Sequence, residues 1–260
     1  MQNLKAKKSL GQNFLQDENI LSKIADSIET NNDLIIEIGP GMGALTKKLI
    51  NKNSYVIAYE IDERTKPYLL PLENEKTKII YKDFLETDLK EDLKNLNYQK
   101  LYIIANIPYY ITTPIIEHII DSEINIDSMV LLVQKEVAER FSAKPKSKDY
   151  GSLTVYLNYY FNIEKLFNVK NTCFNPIPKV DSAVVKFIRK DNISDINNKD
   201  FSKFVKECFS MKRKTLRNNL KNYDFNTVKE VLFENGYNES VRAEELDLDT
   251  FVKLYNKIVK

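Results

Sequence analysis

The apolar run Leu34-Ile-Ile-Glu-Ile38 ends abruptly at Gly39-Pro-Gly-Met-Gly43, after which Ala44, Leu45, Leu49 and Ile50 recur at helical spacing. Strand, glycine turn and helix in that order commit the start of the chain to an α/β arrangement. Four further short apolar runs follow: Tyr55 to Tyr59, Lys78 to Tyr81, Leu101 to Ala105 and Ser128 to Val133. Helical segments separate them. Such alternation over about 140 residues predicts a parallel sheet covered on both faces by helices.

Three of these runs deliver a polar residue at or just past their C-terminal ends: Glu60, Asp83 and Asn106. Open parallel sheets bind ligands at that edge, so the pattern outlines a site. Gly39, Gly41 and Ala44 satisfy G-x-G-x-x-G/A, and Glu60 lies 21 positions after Gly39, where an acid can accept from both hydroxyls of a ribose. The turn alone does not choose between a nicotinamide dinucleotide and S-adenosylmethionine, which share an adenosine. A dehydrogenase needs a proton-transferring group beside the nicotinamide, and the single histidine, His118, falls in the apolar helical segment Pro114 to Ile120, where it reads as structural.

Further along, Val180 to Ile188 reads as another strand, with Phe161 to Val169 as a candidate partner. From Lys199 onward apolar residues fall at helical spacing, with a break near Asn235-Gly236. These features predict a catalytic domain over 1–192 and a small helical domain over 193–260. The chain carries a net +2, yet Lys199 to Lys221 holds eight bases against two acids, a local excess suited to a polyanion. On one continuous helix Lys206, Arg213, Arg217 and Lys221 would share a face, with Lys214 beside it.

No run approaches the ~18 apolar residues that would span a bilayer, and the basic N-terminus has no apolar stretch behind it. A cytoplasmic protein without membrane contact is the expectation. Cys173 and Cys208 lack the spacing of a disulfide framework or a zinc site, so no metal is expected. Nothing in the sequence suggests a coiled coil, and a monomer is expected.

Asn106-Ile-Pro-Tyr-Tyr110 carries the chemistry. The amino nitrogen of adenine has its lone pair delocalised into the ring and is a weak nucleophile. An asparagine oxygen and a backbone carbonyl freed by a proline turn can accept both amino hydrogens and favour the pyramidal nitrogen of a transition state. Tyr109 can stack on the base.

Asn-Ile-Pro-Tyr at this place resembles the catalytic motif of adenine-amino methyltransferases. Ser9-Leu-Gly-Gln-Asn-Phe-Leu15, Gln134-Lys-Glu-Val137, Tyr150-Gly-Ser-Leu153, Phe174-Asn-Pro-Ile-Pro-Lys-Val-Asp-Ser182 and Arg213-Lys-Thr-Leu-Arg-Asn218 resemble, in order, the ribosomal RNA adenine dimethyltransferase family. The resemblance implies a Rossmann-like class I methyltransferase sheet and S-adenosyl-L-methionine as methyl donor, leaving S-adenosyl-L-homocysteine. It implies that Gln12, Asn13 and Leu15 fold over the cofactor, that Gly39 and Gly41 approach its methionine part, and that Glu60 with Ile61 meets the ribose. Asp83 and Phe84 would hold its adenine.

By the same resemblance Asn106 borders the cofactor and, with the carbonyl of Ile107 or Pro108, holds the target amine, Tyr109 stacks on it, and Phe174 closes the other face. The implied substrate is two adjacent adenines near the 3′ end of 16S rRNA in the small ribosomal subunit, with a part in ribosome biogenesis. Two subgroups share these motifs, the other being the large-subunit enzymes of macrolide resistance; the Phe174, Tyr150 and Arg213 blocks favour the first. A non-catalytic assembly factor on the same scaffold and a DNA adenine methyltransferase are the remaining alternatives. The chain departs from the commonest family pattern at Ile107, often Leu, and at Tyr110, often Asn.

Overall fold

The computed structural model describes residues 4–191 and 196–259. Seven strands form one sheet: β1 (Leu34–Ile38), β2 (Tyr55–Glu60), β3 (Thr77–Tyr81), β4 (Leu101–Asn106), β5 (Ser128–Gln134), β6 (Phe161–Val169) and β7 (Ser182–Arg189), in the spatial order β3-β2-β1-β4-β5-β7-β6. The first five run parallel, and β7 is antiparallel to β5. All five residues of β1 are buried, and β4 and β5 are buried up to their last residues. Continuous burial is what strands covered on both faces require, and it explains why these segments read as near-continuous apolar runs, with the buried Glu37 the charged exception in β1.

Register carries the expected polar residues to one edge. Ile38 lies opposite Tyr59 on one side and Ala105 on the other, so Gly39, Glu60 and Asn106 emerge at the same level. Glu60 in turn lies opposite Tyr81, which puts Asp83 two residues beyond. Chain order reverses between β1 and β4, and a crevice opens at such a switch point.

The chain divides into two compact units, Met1–Ala138 with Glu164–Arg189, and Glu139–Ile163 with Lys190–Lys260. The expected boundary at residue 192 lies outside the described residues, and segment 139–163 departs from the expectation by grouping with the C-terminal helices. The reason is aromatic. The helix Ser152–Tyr160 carries Tyr159, whose ring centroid lies 4.8 Å from Phe201. Phe201 stands 5.4 Å from Tyr255 edge to face, and Phe209 stacks on Phe251 at 5.6 Å. A helix with this much aromatic area needs those partners to leave water.

Three longer helices complete that unit: Asn198–Cys208, Phe225–Glu234 and Leu248–Ile258. Each starts where a side chain caps it, Asn197, Asp224 and Asp247 accepting from backbone amides of the first turn. The Phe225–Glu234 helix gives way to Gly236 in the left-handed region, at the expected break.

The predicted continuous basic helix does not form. The first of these helices stops at Cys208, residues 209–215 turn, and Arg217 belongs to a separate four-residue helix, Leu216–Asn219. Asn219 explains the stop: its Nδ2 donates to the Cys208 carbonyl at 2.6 Å and its Oδ1 accepts from the Met211 amide at 3.1 Å. A side chain therefore satisfies the backbone groups that another helical turn would have used.

Candidate active site

A cavity of about 180 Å³ opens at the C-terminal edge of the sheet, between the glycine turn, the ends of β2 and β4, and residues 10–15. Gly41 has a φ of +58°, and a Cβ placed on it would come within 3.0 Å of the Phe14 ring. Only glycine fits both the backbone and the space. The Gly41 amide donates to Glu60 Oε2 at 2.9 Å, and the Asp62 amide to Glu60 Oε1 at 2.8 Å.

Glu60 is 3% exposed, and burial raises its carboxyl above the ordinary value while these amides pull it down. Each carboxylate oxygen has a second lone pair. Glu60 can thus hold the turn and still accept from a pair of ligand hydroxyls. Beneath the turn, Glu37 on β1 is wholly buried with Oε2 lacking a hydrogen-bond partner, and burial pushes its carboxyl up to about 8.

Residues 10–15 form one wall. Gln12 Nε2 donates to Asp62 Oδ2 at 2.8 Å, and Arg64 grips the same carboxylate through Nε at 2.8 Å and Nη2 at 2.6 Å. The Arg64 guanidinium holds the Asp62 carboxyl down at about 2. Further on, Phe14 and Leu15 pair antiparallel with Asn175 and Phe174. Nothing in the sequence alone singles out Asp62 and Arg64. An acid and a base two positions apart just past a strand look like any solvated surface pair, and only the fold brings Gln12 to them.

Asn106 closes the end of β4. Its Nδ2 donates to the Asn13 carbonyl at 3.4 Å, which turns Oδ1 towards the role of acceptor. The Ile111 amide donates to the Pro108 carbonyl at 3.1 Å, whereas the Ile107 carbonyl has no backbone donor among the described residues. Of the two carbonyls expected to share the amine, Ile107's is free of any backbone donor among the described residues, while Pro108's keeps one lone pair beside its bond to Ile111. Tyr109 is held by its tip, its hydroxyl 2.7 Å from Ser182 Oγ at the start of β7. Burial raises its phenol above the ordinary value.

Gln12, Asn13, Leu15, Gly39, Gly41, Glu60, Ile61, Asp83, Phe84, Asn106, Pro108 and Tyr109 all line the cavity. Asp83 accepts from the Leu85 amide through Oδ1 at 3.0 Å. Phe84 stands edge to face with Tyr59 and with His118, at 5.4 and 5.5 Å. His118 Nε2 lies 3.2 Å from Thr87 Oγ1, so the histidine braces Phe84 from behind, as a structural residue would.

Phe174 is not brought to the cavity wall. It is 3% exposed and sits in the apolar core with Leu15, Leu21 and Val169, because backbone pairing with Leu15 turns its ring inward. Arg213, Lys214 and Lys221 are exposed in the second unit, while Arg217 lies 4.8 Å over the Phe225 ring and 3.9 Å from Glu239. Cys173 and Cys208 are free thiols. Among the described residues no helix is long and apolar enough to cross a membrane.

Residues 3–260 match the family described as ribosomal RNA adenine dimethylase. The chain belongs to that family. Among its relatives is the ribosomal RNA small subunit methyltransferase A of Mycoplasma mobile, 42% identical over 258 residues that cover 97% of this chain and 98% of the relative. A solved dimethyladenosine transferase from Plasmodium falciparum superimposes with a TM-score of 0.77 at 29% identity, over 94% of this chain and 98% of the other. The 23S rRNA methyltransferase ErmE shares the fold, with a TM-score of 0.70 at 24% identity, over 95% of this chain and all of the other. For an adenine dimethylase the cavity is suitably furnished: a buried acid at the end of β2 with spare lone pairs, a second carboxylate past β3, and an asparagine with an uncommitted oxygen at the end of β4.

Proposed function

We propose that this chain is an S-adenosylmethionine-dependent rRNA adenine-N6,N6-dimethyltransferase acting on two adjacent adenines near the 3′ end of the small-subunit ribosomal RNA. The single observation that carries this reading is the convergence of Glu60, Asp83 and Asn106, with Tyr109, on one cavity in a chain of the rRNA adenine dimethylase family. Its 42% identity to an enzyme named for the small subunit favours that substrate over the large-subunit one.

S-adenosylmethionine, when bound, supplies an electrophilic methyl group on a sulfonium. Glu60 would accept from the ribose hydroxyls, Asp83 from the adenine amino group, and the backbone at Gly39 and Gly41 would lie against the methionine part. Asn106 Oδ1 and the Ile107 carbonyl accept the two amino hydrogens of the target adenine, which draws its nitrogen towards a pyramidal shape and returns the lone pair to it. Tyr109, fixed by Ser182, stacks on the base. The methylated amine is acidic enough to release its proton to water or a carbonyl, so no strong base is needed.

The exposed bases of the second unit, Arg213, Lys214 and Lys221 with Lys206 and Arg217, supply phosphate contacts that fix orientation without reading sequence. Target choice then rests on the shape of the particle. The protein acts as a monomer in the cytoplasm, where the subunit matures, and its docking on an immature particle adds a part in ribosome biogenesis.

Incubating the protein and labelled S-adenosylmethionine with small subunits, large-subunit RNA and DNA in parallel tests the reading, with the labelled nucleoside identified by mass spectrometry. Dimethyladenosine confined to small-subunit RNA is the expected result. Label in large-subunit RNA would move the chain to the resistance subgroup, and cofactor binding without transfer would make it an assembly factor.

A further inference from the structure

Tyr110 follows the stacking residue Tyr109 and lines the same cavity, yet it is 64% exposed. One edge of its ring is backed by the chain. Gly11 approaches so closely that a Cβ there would stand 3.0 Å from Tyr110 Cε1 and 3.1 Å from Pro108 Cβ, and Gly11 holds a φ of +61° that disfavours any side chain. The ring is therefore seated against Gly11 and the proline turn, with most of its surface in solvent. A large aromatic in that position gains little for folding, since burial is what stabilises such a residue.

A supported, solvent-facing ring at the mouth of a base-binding cavity has the form of a stacking platform. Single-stranded nucleic acids are held by aromatic faces on which successive bases lie, each worth enough to shift affinity by about 5-fold or more. The two tyrosines differ in what they can do. Tyr109 is tied to Ser182 and half-buried, whereas Tyr110 stands on the rim, one residue further on.

We propose that Tyr110 stacks on the nucleotide next to the target adenine, so that the enzyme holds two neighbouring bases at once, one inside the cavity and one on its rim. The inference rests on the proposed RNA adenine substrate. In a substrate with two adjacent adenines the base on the rim is the other target. Tyr110 then governs how readily the enzyme engages the pair and how methyl groups are shared between the two positions.

The test uses the full chain with purified small subunits that lack these methyl groups, comparing wild type with Tyr110→Ala, Tyr110→Asn and Tyr110→Phe. Cofactor affinity is measured by calorimetry, KM and kcat for subunits by label transfer, and the methyl count on each adenine by mass spectrometry. The expected result is a KM for subunits raised roughly 5-fold or more in Ala and Asn, with rescue in Phe, an altered ratio of methylation between the adenines, and an unchanged cofactor Kd. An unchanged KM in Ala and Asn would overturn the proposal. So would a parallel loss of cofactor affinity, which would make the ring a prop for Gly11. Failure of the underlying reading looks different, because wild type itself would then transfer no methyl group to the subunits.

Discussion

Glu60 accepts the Gly41 amide at 2.9 Å, so the acid at the end of β2 and the glycine turn after β1 are one structural unit. A change in either is felt by both. Glu60→Gln replaces an acceptor by an NH2 group that must face a backbone amide, leaving a buried donor unpaired at a cost of about 1–3 kcal/mol. Cofactor affinity should fall by roughly tenfold or more, as isothermal titration with S-adenosylmethionine would record; an unchanged Kd would remove Glu60 from the site.

Asn106→Ala removes the oxygen proposed to accept the target amine while leaving β4 intact. Loss of one such acceptor in a preorganised site costs about 10²–10³ in turnover. Single-turnover transfer should collapse by that factor with cofactor binding and thermal stability preserved. Near-normal transfer would exclude Asn106 from the chemistry.

Asp62 is the hinge pin of the wall formed by residues 10–15. Asp62→Asn weakens both the Arg64 grip and the Gln12 bond, and amide exchange over residues 5–13 should accelerate with a weaker cofactor Kd. Held at about 2 against 3.8 unperturbed, Asp62 contributes stability that is fully present above pH 3.8 and lost as pH falls towards 2. Exchange over this segment should accordingly be insensitive to Asp62 titration between pH 5 and 9.

Glu37 titrates in the opposite sense. Its carboxyl moves from 4.5 to about 8 on burial, so the folded protein holds a proton that the unfolded chain has released. The stability it contributes is present below pH 4.5 and declines as pH rises to about 8, by an amount on the order of 4 kcal/mol. Glu37→Gln should flatten the fall in melting temperature between pH 5 and 8; an identical pH profile would refute the assignment.

Replacing exposed Arg213 and Lys214 by Glu should weaken binding to small subunits and reduce the slope of affinity against salt. Binding unchanged at low and high salt would return that surface to ordinary solvation.

The sheet and its edge were legible because its central strands are buried on both faces and mostly apolar, so short apolar runs alternate with helices and a polar residue at or just past the end of a run stands out. Glu60, Asp83 and Asn106 are visible in this way. The wall was legible only through its resemblance to a family, since the Gln12 to Asp62 bond joins polar residues 50 positions apart. Phe174, expected to close the other face of the target base, is paired with Leu15, far away in sequence, and packs behind the cavity lining in this structure. The basic helix failed locally. Its spacing continues through residues 209–215, while Asn219 caps the helix behind it, and side-chain capping across a turn leaves no trace in the periodicity of charges.

The antiparallel pairing of Phe14 and Leu15 with Asn175 and Phe174 has a consequence for how the protein comes into being. Contacts between segments so distant in sequence form late, after the entropy of closing the intervening loop has been met. During synthesis the strands of the sheet up to β5 emerge and can pair while Phe14 and Leu15 still lack their strand partner. That pairing is completed only once residue 175 has left the exit tunnel, so the Phe14–Leu15 end of the cavity wall is fixed after most of the chain has been translated.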